Sequence, residues 1–149
     1  MADPDQPGPR IVIDDRQSDV VVDLEALEGL ARRTLLGEGA TDVELSVSLV
    51  TEDEIADLHV RYLEEEGPTD VLSFPLDPDD RDEDGLRLLG DVVISPAVAA
   101  RDRPEDPAAE IRLLLVHGIL HLLGHDHQDE TDRAEMWAVQ ERYAGVHVP

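Results

Sequence analysis

Residues 117–127 read His-Gly-Ile-Leu-His-Leu-Leu-Gly-His-Asp-His and hold four of the six histidines in the chain. His117 and His121 are spaced so that on a helix they lie one turn apart on the same face. Gly124 can adopt a left-handed conformation and end that helix. The chain can then turn and bring His127 toward the same point. Three imidazoles from a helix and the turn after it make three corners of a tetrahedron. That is a zinc site with an open position, the arrangement of catalytic rather than structural zinc. A lone histidine near a helix end would be explained by the C-terminal dipole. The full pattern H-x3-H-x2-G-x2-H sits among Leu113, Leu114, Leu115, Val116, Ile119, Leu120, Leu122 and Leu123. Imidazoles buried in so apolar a helix need a partner, and one Zn2+ ion supplies it.

A zinc ion held by three histidines lowers the pKa of its water to about 7, so hydrolysis is the default reaction class. Metzincin peptidases carry H-E-x-x-H-x-x-G-x-x-H, in which the glutamate is the general base. This chain matches every fixed position but that one, where Gly118 stands. A glycine takes no proton, which argues against ordinary peptide hydrolysis.

The elements that must position these groups follow from local patterns. Arg10–Asp15 reads as a first strand. Asp23 is placed as the N-cap of an amphipathic helix running to about Leu36, with Leu24, Leu27, Leu30, Ala31 and Leu35 as its apolar stripe. Val43, Leu45, Val47 and Leu49 alternate with polar residues as a half-buried strand. Thr51-Glu52-Asp53-Glu54 has capping-box spacing and opens a second helix, on which His59 reads as packing rather than as a ligand. Thr69–Pro75 is a strand closed by proline. The charge run 77–85 lacks the spacing of a calcium loop and reads as a solvated connection. Leu88–Ser95 is apolar enough for burial on both faces. Ser95-Pro96 and Asp106-Pro107 are helix starts, the second opening the long helix to Leu123, and Asp129–Tyr143 forms a last helix. The expected fold is α/β (α+β): a single-layer mixed sheet of about four strands with helices packed over it, one of them the zinc-hydrolase-like helix carrying HxxxH.

At 149 residues the chain fits one domain, read as 10–149 behind a disordered tail at 1–9. There is no cysteine, so disulfides and thiolate zinc ligands are excluded and a cytoplasmic location is expected. The N-terminus lacks the basic start and apolar segment of a signal peptide, and no run has the length of a membrane span. The formal net charge is -24, and all twelve basic residues are arginine. Such a balance opposes non-specific nucleic-acid binding. Any nucleic-acid site must therefore be a local arginine cluster, arginine being the better bidentate phosphate ligand.

The stretch H-G-I-L-H-L-L-G-H-D-H resembles the signature of the YbeY family, bacterial endoribonucleases of ribosomal RNA maturation. G-P-T-D-V-L-S-F-P at 67–75 and G-D-V-V-I-S at 90–95 agree with it in order and spacing. The resemblance runs from the first strand to the last helix. It implies one zinc ion held by His117, His121 and His127. It also implies a single-strand-directed endoribonuclease acting at the 3′ end of small-subunit rRNA and in ribosome quality control. The implied partners are ribosomal RNA and the small ribosomal subunit, with no membrane and no DNA. Three features depart from the family pattern. His125 stands where tyrosine is frequent, Leu63 where many members have an arginine that contacts RNA or stabilises charge, and the net charge is unusually negative. Arg61 lies two residues before Leu63, but on a helix such neighbours face different ways.

Asp70, Ser73, Asp91 and Asp126 are polar residues near the motifs. Asp91 and Asp126 can be read either as acceptors that orient ligand imidazoles or as capping and turn residues, and no general base is assigned. Two other readings stay open: a non-catalytic ribosome-assembly factor whose metal is structural, and a zinc peptidase, against which Gly118 counts.

Overall fold

Val43, Leu45, Val47 and Leu49 are completely buried, and the strand they define lies inside the sheet. The computed structural model describes residues 9–62, 71–76, 79–83, 85–124, 143 and 144. Its elements are β1 (Arg10–Asp15), α1 (Leu24–Gly37), β2 (Val43–Leu49), α2 (Glu52–Tyr62), β3 (Val71–Pro75), β4 (Arg87–Ile94), α3 (Pro96–Asp102) and α4 (Pro107–Leu122). The sheet order is β1-β2-β4-β3. β1, β2 and β4 run parallel, and β3 is antiparallel to β4 at the edge. β4 feeds the cores on both faces of the sheet, Val92 and Ile94 on one and Val93 on the other, which accounts for its nearly continuous apolar sequence. Pro75 is tolerated because β3 is an edge strand.

The sheet has two unlike faces. On one, β2 and β4 residues such as Leu45, Val47, Val92 and Ile94 pack against Leu27, Leu30 and Leu35 of α1 and Leu115, Ile119 and Leu120 of α4. The other face carries a smaller cluster of Val50, Ile55, Leu72 and Val93, with Leu58 and Phe74 against it. There α2 supplies the cover.

Three expected helix caps are made. Asp23 accepts from the Ala26 N–H at 3.1 Å, Thr51 from Glu54 at 3.2 Å and Asp106 from Ala109 at 3.1 Å. Ser95 occupies the cap position of α3 but makes no side-chain capping bond. It is fully buried, and its Oγ has no hydrogen-bond partner among the described residues. Pro96 starts this helix instead, through its pre-set φ. Pro9, read with the tail, belongs to the fold: it is buried, and its carbonyl accepts from Arg32 Nη1 at 2.8 Å. In the charge run, Asp82 closes a turn by accepting from the Leu86 N–H at 2.9 Å and pairs with Arg10 at 3.1 Å. The last expected helix lies outside the described residues except for Tyr143. The Tyr143 hydroxyl donates to Glu38 at 2.9 Å. Among the described residues, no helix is long and apolar enough to cross a membrane.

One irregularity matters for the site. Glu44 pairs with Leu88, but Leu45 pairs with Gly90. The extra residue, Leu89, is a β-bulge that re-aims the side chains after it. Gly90 has φ 151°. A Cβ there would lie 2.6 Å from the Phe74 carbonyl oxygen and 2.9 Å from Leu122 Cδ2. The last turn of α4 therefore rests directly on the bulge. Gly90→Ala is expected to cost about 2–3 kcal/mol through overpacking and backbone strain. Thermal melts should show a drop of about 5–10 °C, and an unchanged Tm would mean that the helix end can move away freely.

Candidate metal centre

α4 is built to be buried along most of its length. Its N-cap is Asp106 and its first residue is Pro107, and Ile111, Leu114, Leu115, Val116, Ile119 and Leu120 are buried. Its end has the expected form. The Leu123 N–H donates to the Ile119 carbonyl at 3.0 Å and the Gly124 N–H to the His121 carbonyl at 3.1 Å. Gly124 takes φ 96°, a conformation that an L side chain rarely adopts.

His117 and His121 emerge on one side of this helix. Their rings are 6.2 Å apart between centroids and inclined by only 17°. His117 is half-buried and His121 is exposed. The pair thus runs from the protein interior out to solvent. Two imidazoles placed this way fit a zinc ion, whose preferred donors include histidine nitrogen. His127, the third expected ligand, lies outside the described residues, as do Leu63, Asp70, His125 and Asp126. Among the described residues, no group of three or more His, Asp or Glu side chains gathers as a metal site.

Gly118 acquires a meaning that the motif comparison lacked. It is buried. A Cβ at this position would lie 2.7 Å from Val92 Cγ1 and 3.2 Å from Ser73 Oγ. Position 118 therefore faces the sheet at close range, and a carboxylate there would have to displace β3 or β4. Ser73 is the other residue that the sequence underrated. Its hydroxyl donates to the Gly118 carbonyl at 3.3 Å across 45 residues of chain. Beside its place in the 67–75 motif, its signal was its alternate position in the strand, on the side of Val71, which packs in the main core.

Asp91 is not where an imidazole acceptor would be. Val92 touches the Gly118 position, so the alternation of the strand sends Asp91 to the opposite face. There it lines a cleft of about 370 Å³ with Arg16, Glu54, Leu58, Phe74 and Val93. Arg16 is held in this cleft by Glu54 at 2.9 Å and Asp14 at 3.3 Å. Burial pushes the Asp91 carboxyl above the usual carboxylate range, and the nearby Asp14 charge adds to this; the hydrogen bond from Ser46 and the Arg16 charge oppose it. Its Oδ1 has no hydrogen-bond partner among the described residues.

A raised folded-state pKa means that the protonated carboxyl favours folding. That contribution is complete below the unfolded value, about 3.9, and is lost as pH rises through the folded value. Asp91→Asn should therefore raise the Tm at pH 7 by about 1–3 °C, and the gain should vanish toward pH 4. Calorimetry across this range checks it; a gain independent of pH would contradict the electrostatic cause.

A larger cavity of about 480 Å³ lies at the N-terminal ends of α1 and α4, lined by Val22, Leu27, Pro107 and Ile111 among others. It sits at the other end of α4, about 15 Å along the helix from the histidines, so size does not mark the site here. Among the described residues, Arg10, Arg16, Arg32, Arg101 and Arg103 are each paired with a carboxylate.

The family profile described as endoribonuclease YbeY matches residues 12–145. An endoribonuclease YbeY of Thermobifida fusca is 48% identical over 134 residues, which cover 83% of this chain and 85% of that protein. One from Frankia alni is 50% identical over 109 residues, covering 66% of this chain and 60% of the relative's length. The solution structure of a Thermotoga maritima protein, at 31% identity, superposes with a TM-score of 0.62 over 90% of this chain and 86% of that one. A profile match from within β1 to beyond the histidine stretch, with a solved relative of the same fold, places this chain in the endoribonuclease YbeY family.

Proposed function

We propose that this chain is a zinc-dependent, single-strand-directed endoribonuclease of ribosomal RNA. Its work would lie in maturing the 3′ end of small-subunit rRNA and in ribosome quality control, in the cytoplasm, with the small ribosomal subunit as partner. The observation that carries the reading is the His117–His121 pair, near-parallel at the exposed end of an otherwise buried helix, in a chain of this family. His127 would complete the ligand set. A bound Zn2+ supplies positive charge and acidifies water toward neutral pH, which suits phosphodiester hydrolysis. The exposure of His121 favours a site that water and substrate reach over a closed structural metal. Peptidase chemistry is disfavoured because position 118 has no room for a glutamate base.

The test is cleavage of ribosomal RNA by zinc-loaded wild type and by His117→Ala purified in the same way. Loss of at least about a hundredfold in rate is expected of the variant. Equal weak cleavage by both would identify a contaminating nuclease and make the protein a non-catalytic assembly factor.

A further inference from the structure

The contact between β3 and α4 beside the histidines includes a directional component. Around it the packing is apolar, and the hydrophobic driving force itself has no preferred direction. Gly118 lies immediately after His117 and less than a turn before His121. Its missing side chain lets the helix approach Val92 and Ser73 closely, and the Ser73 hydroxyl donates to its carbonyl at 3.3 Å. A helix carbonyl can accept this bond in addition to the N–H four residues on, because it has two lone pairs. We propose that Ser73 is a positioning residue of the metal centre: by holding the Gly118 carbonyl, it sets the rotation of the α4 turn that aims His117 and His121. The inference rests on the zinc reading above and adds a residue to it. Ser73 touches neither ring through this bond; it acts through the helix backbone.

Three proteins decide it: wild type, Ser73→Ala and Ser73→Thr. Zinc affinity is measured by competition with a chelator, and apo stability by melting in EDTA. Ser73→Ala is expected to bind Zn2+ about tenfold more weakly, the lower end for residues that support metal ligands. Its apo Tm should stay within about 3 °C of wild type. The visible bands of its Co2+-loaded form should shift, and kcat on rRNA should fall while KM holds. Ser73→Thr keeps the hydroxyl and should retain affinity within about threefold. Affinity of Ser73→Ala within about twofold of wild type, or equal losses in the alanine and threonine variants, would overturn the role of Ser73. Wild type that binds no zinc would overturn the metal centre itself, and the Ser73 role with it. If Ser73→Ala does not fold, Ser73→Cys, close in size but only a weak donor, takes its place: weaker affinity than Ser73→Thr with shifted Co2+ bands supports the role, and affinity equal to that of Ser73→Thr overturns it.

Discussion

His121→Ala is expected to abolish stoichiometric zinc binding and the thermal stabilisation that zinc confers. His121 is exposed at the end of α4, so its removal opens no cavity. In EDTA the variant and the wild type should melt within about 1–2 °C of each other, as surface substitutions usually do. With free zinc at about a hundred times Kd, linkage stabilises the wild type by about 2.7 kcal/mol. For a domain of this size that is about 5–10 °C. The variant should gain none of it. Metal analysis and paired melts check both parts, and His127→Ala should behave in the same way if it is the third ligand. Full metal content in His121→Ala would remove this residue from the site. A Tm lowered equally with and without zinc would show that the ring matters for packing rather than for metal.

The second large effect is expected at Gly118. Gly118→Glu restores the metzincin motif in sequence and should nevertheless give no peptidase. Its Cβ would meet Val92 Cγ1 at 2.7 Å. Overpacking of this kind costs about 1–3 kcal/mol. A carboxylate forced between helix and sheet without a partner adds several more, and the gain from replacing a helix glycine returns about 1. A net loss of about 3–5 kcal/mol is a large share of the stability of a small domain and should lower the Tm by about 10 °C or more. Gly118→Ala should show a milder loss of about 1–2 kcal/mol. Calorimetry on both variants and a peptide-hydrolysis assay check the prediction. A stable Gly118→Glu protein that cleaves peptides would show that the position faces the metal after all.

The two experiments probe different kinds of information. The pairing of His117 with His121 and the stop at Gly124 are consequences of helix geometry and glycine conformation. Both act over a few residues, and so both were legible in the sequence. The same holds for the caps at Asp23, Thr51 and Asp106 and for the alternation in β2. The strand order was not legible, because parallel partners are joined through long crossovers and local pattern does not say which strands meet. Ser95 looked like a cap because Ser-Pro often is one, yet burial took its hydroxyl out of reach of that role. Pro9 looked like tail because its neighbours are polar, while a side chain of α1 ties it to the fold.

Asp91 shows the division most clearly. In the sequence it lies within a family motif, and no local rule separates an imidazole acceptor from a residue of the opposite face. One extra residue at Leu89 and the direction of the Val92 side chain decide the matter. Ser73 and Gly118 are separated by 45 positions, and they meet only because β3 pairs with β4 and α4 lies across both. The amino-acid order thus specifies which residue types can hold a metal and that two of them share a helix face, since these depend on near neighbours. Which groups stand behind that face, and why no base can stand at 118, depends on strand register, a bulge and the depth of helix packing. Those arise only when distant segments compete for the same space.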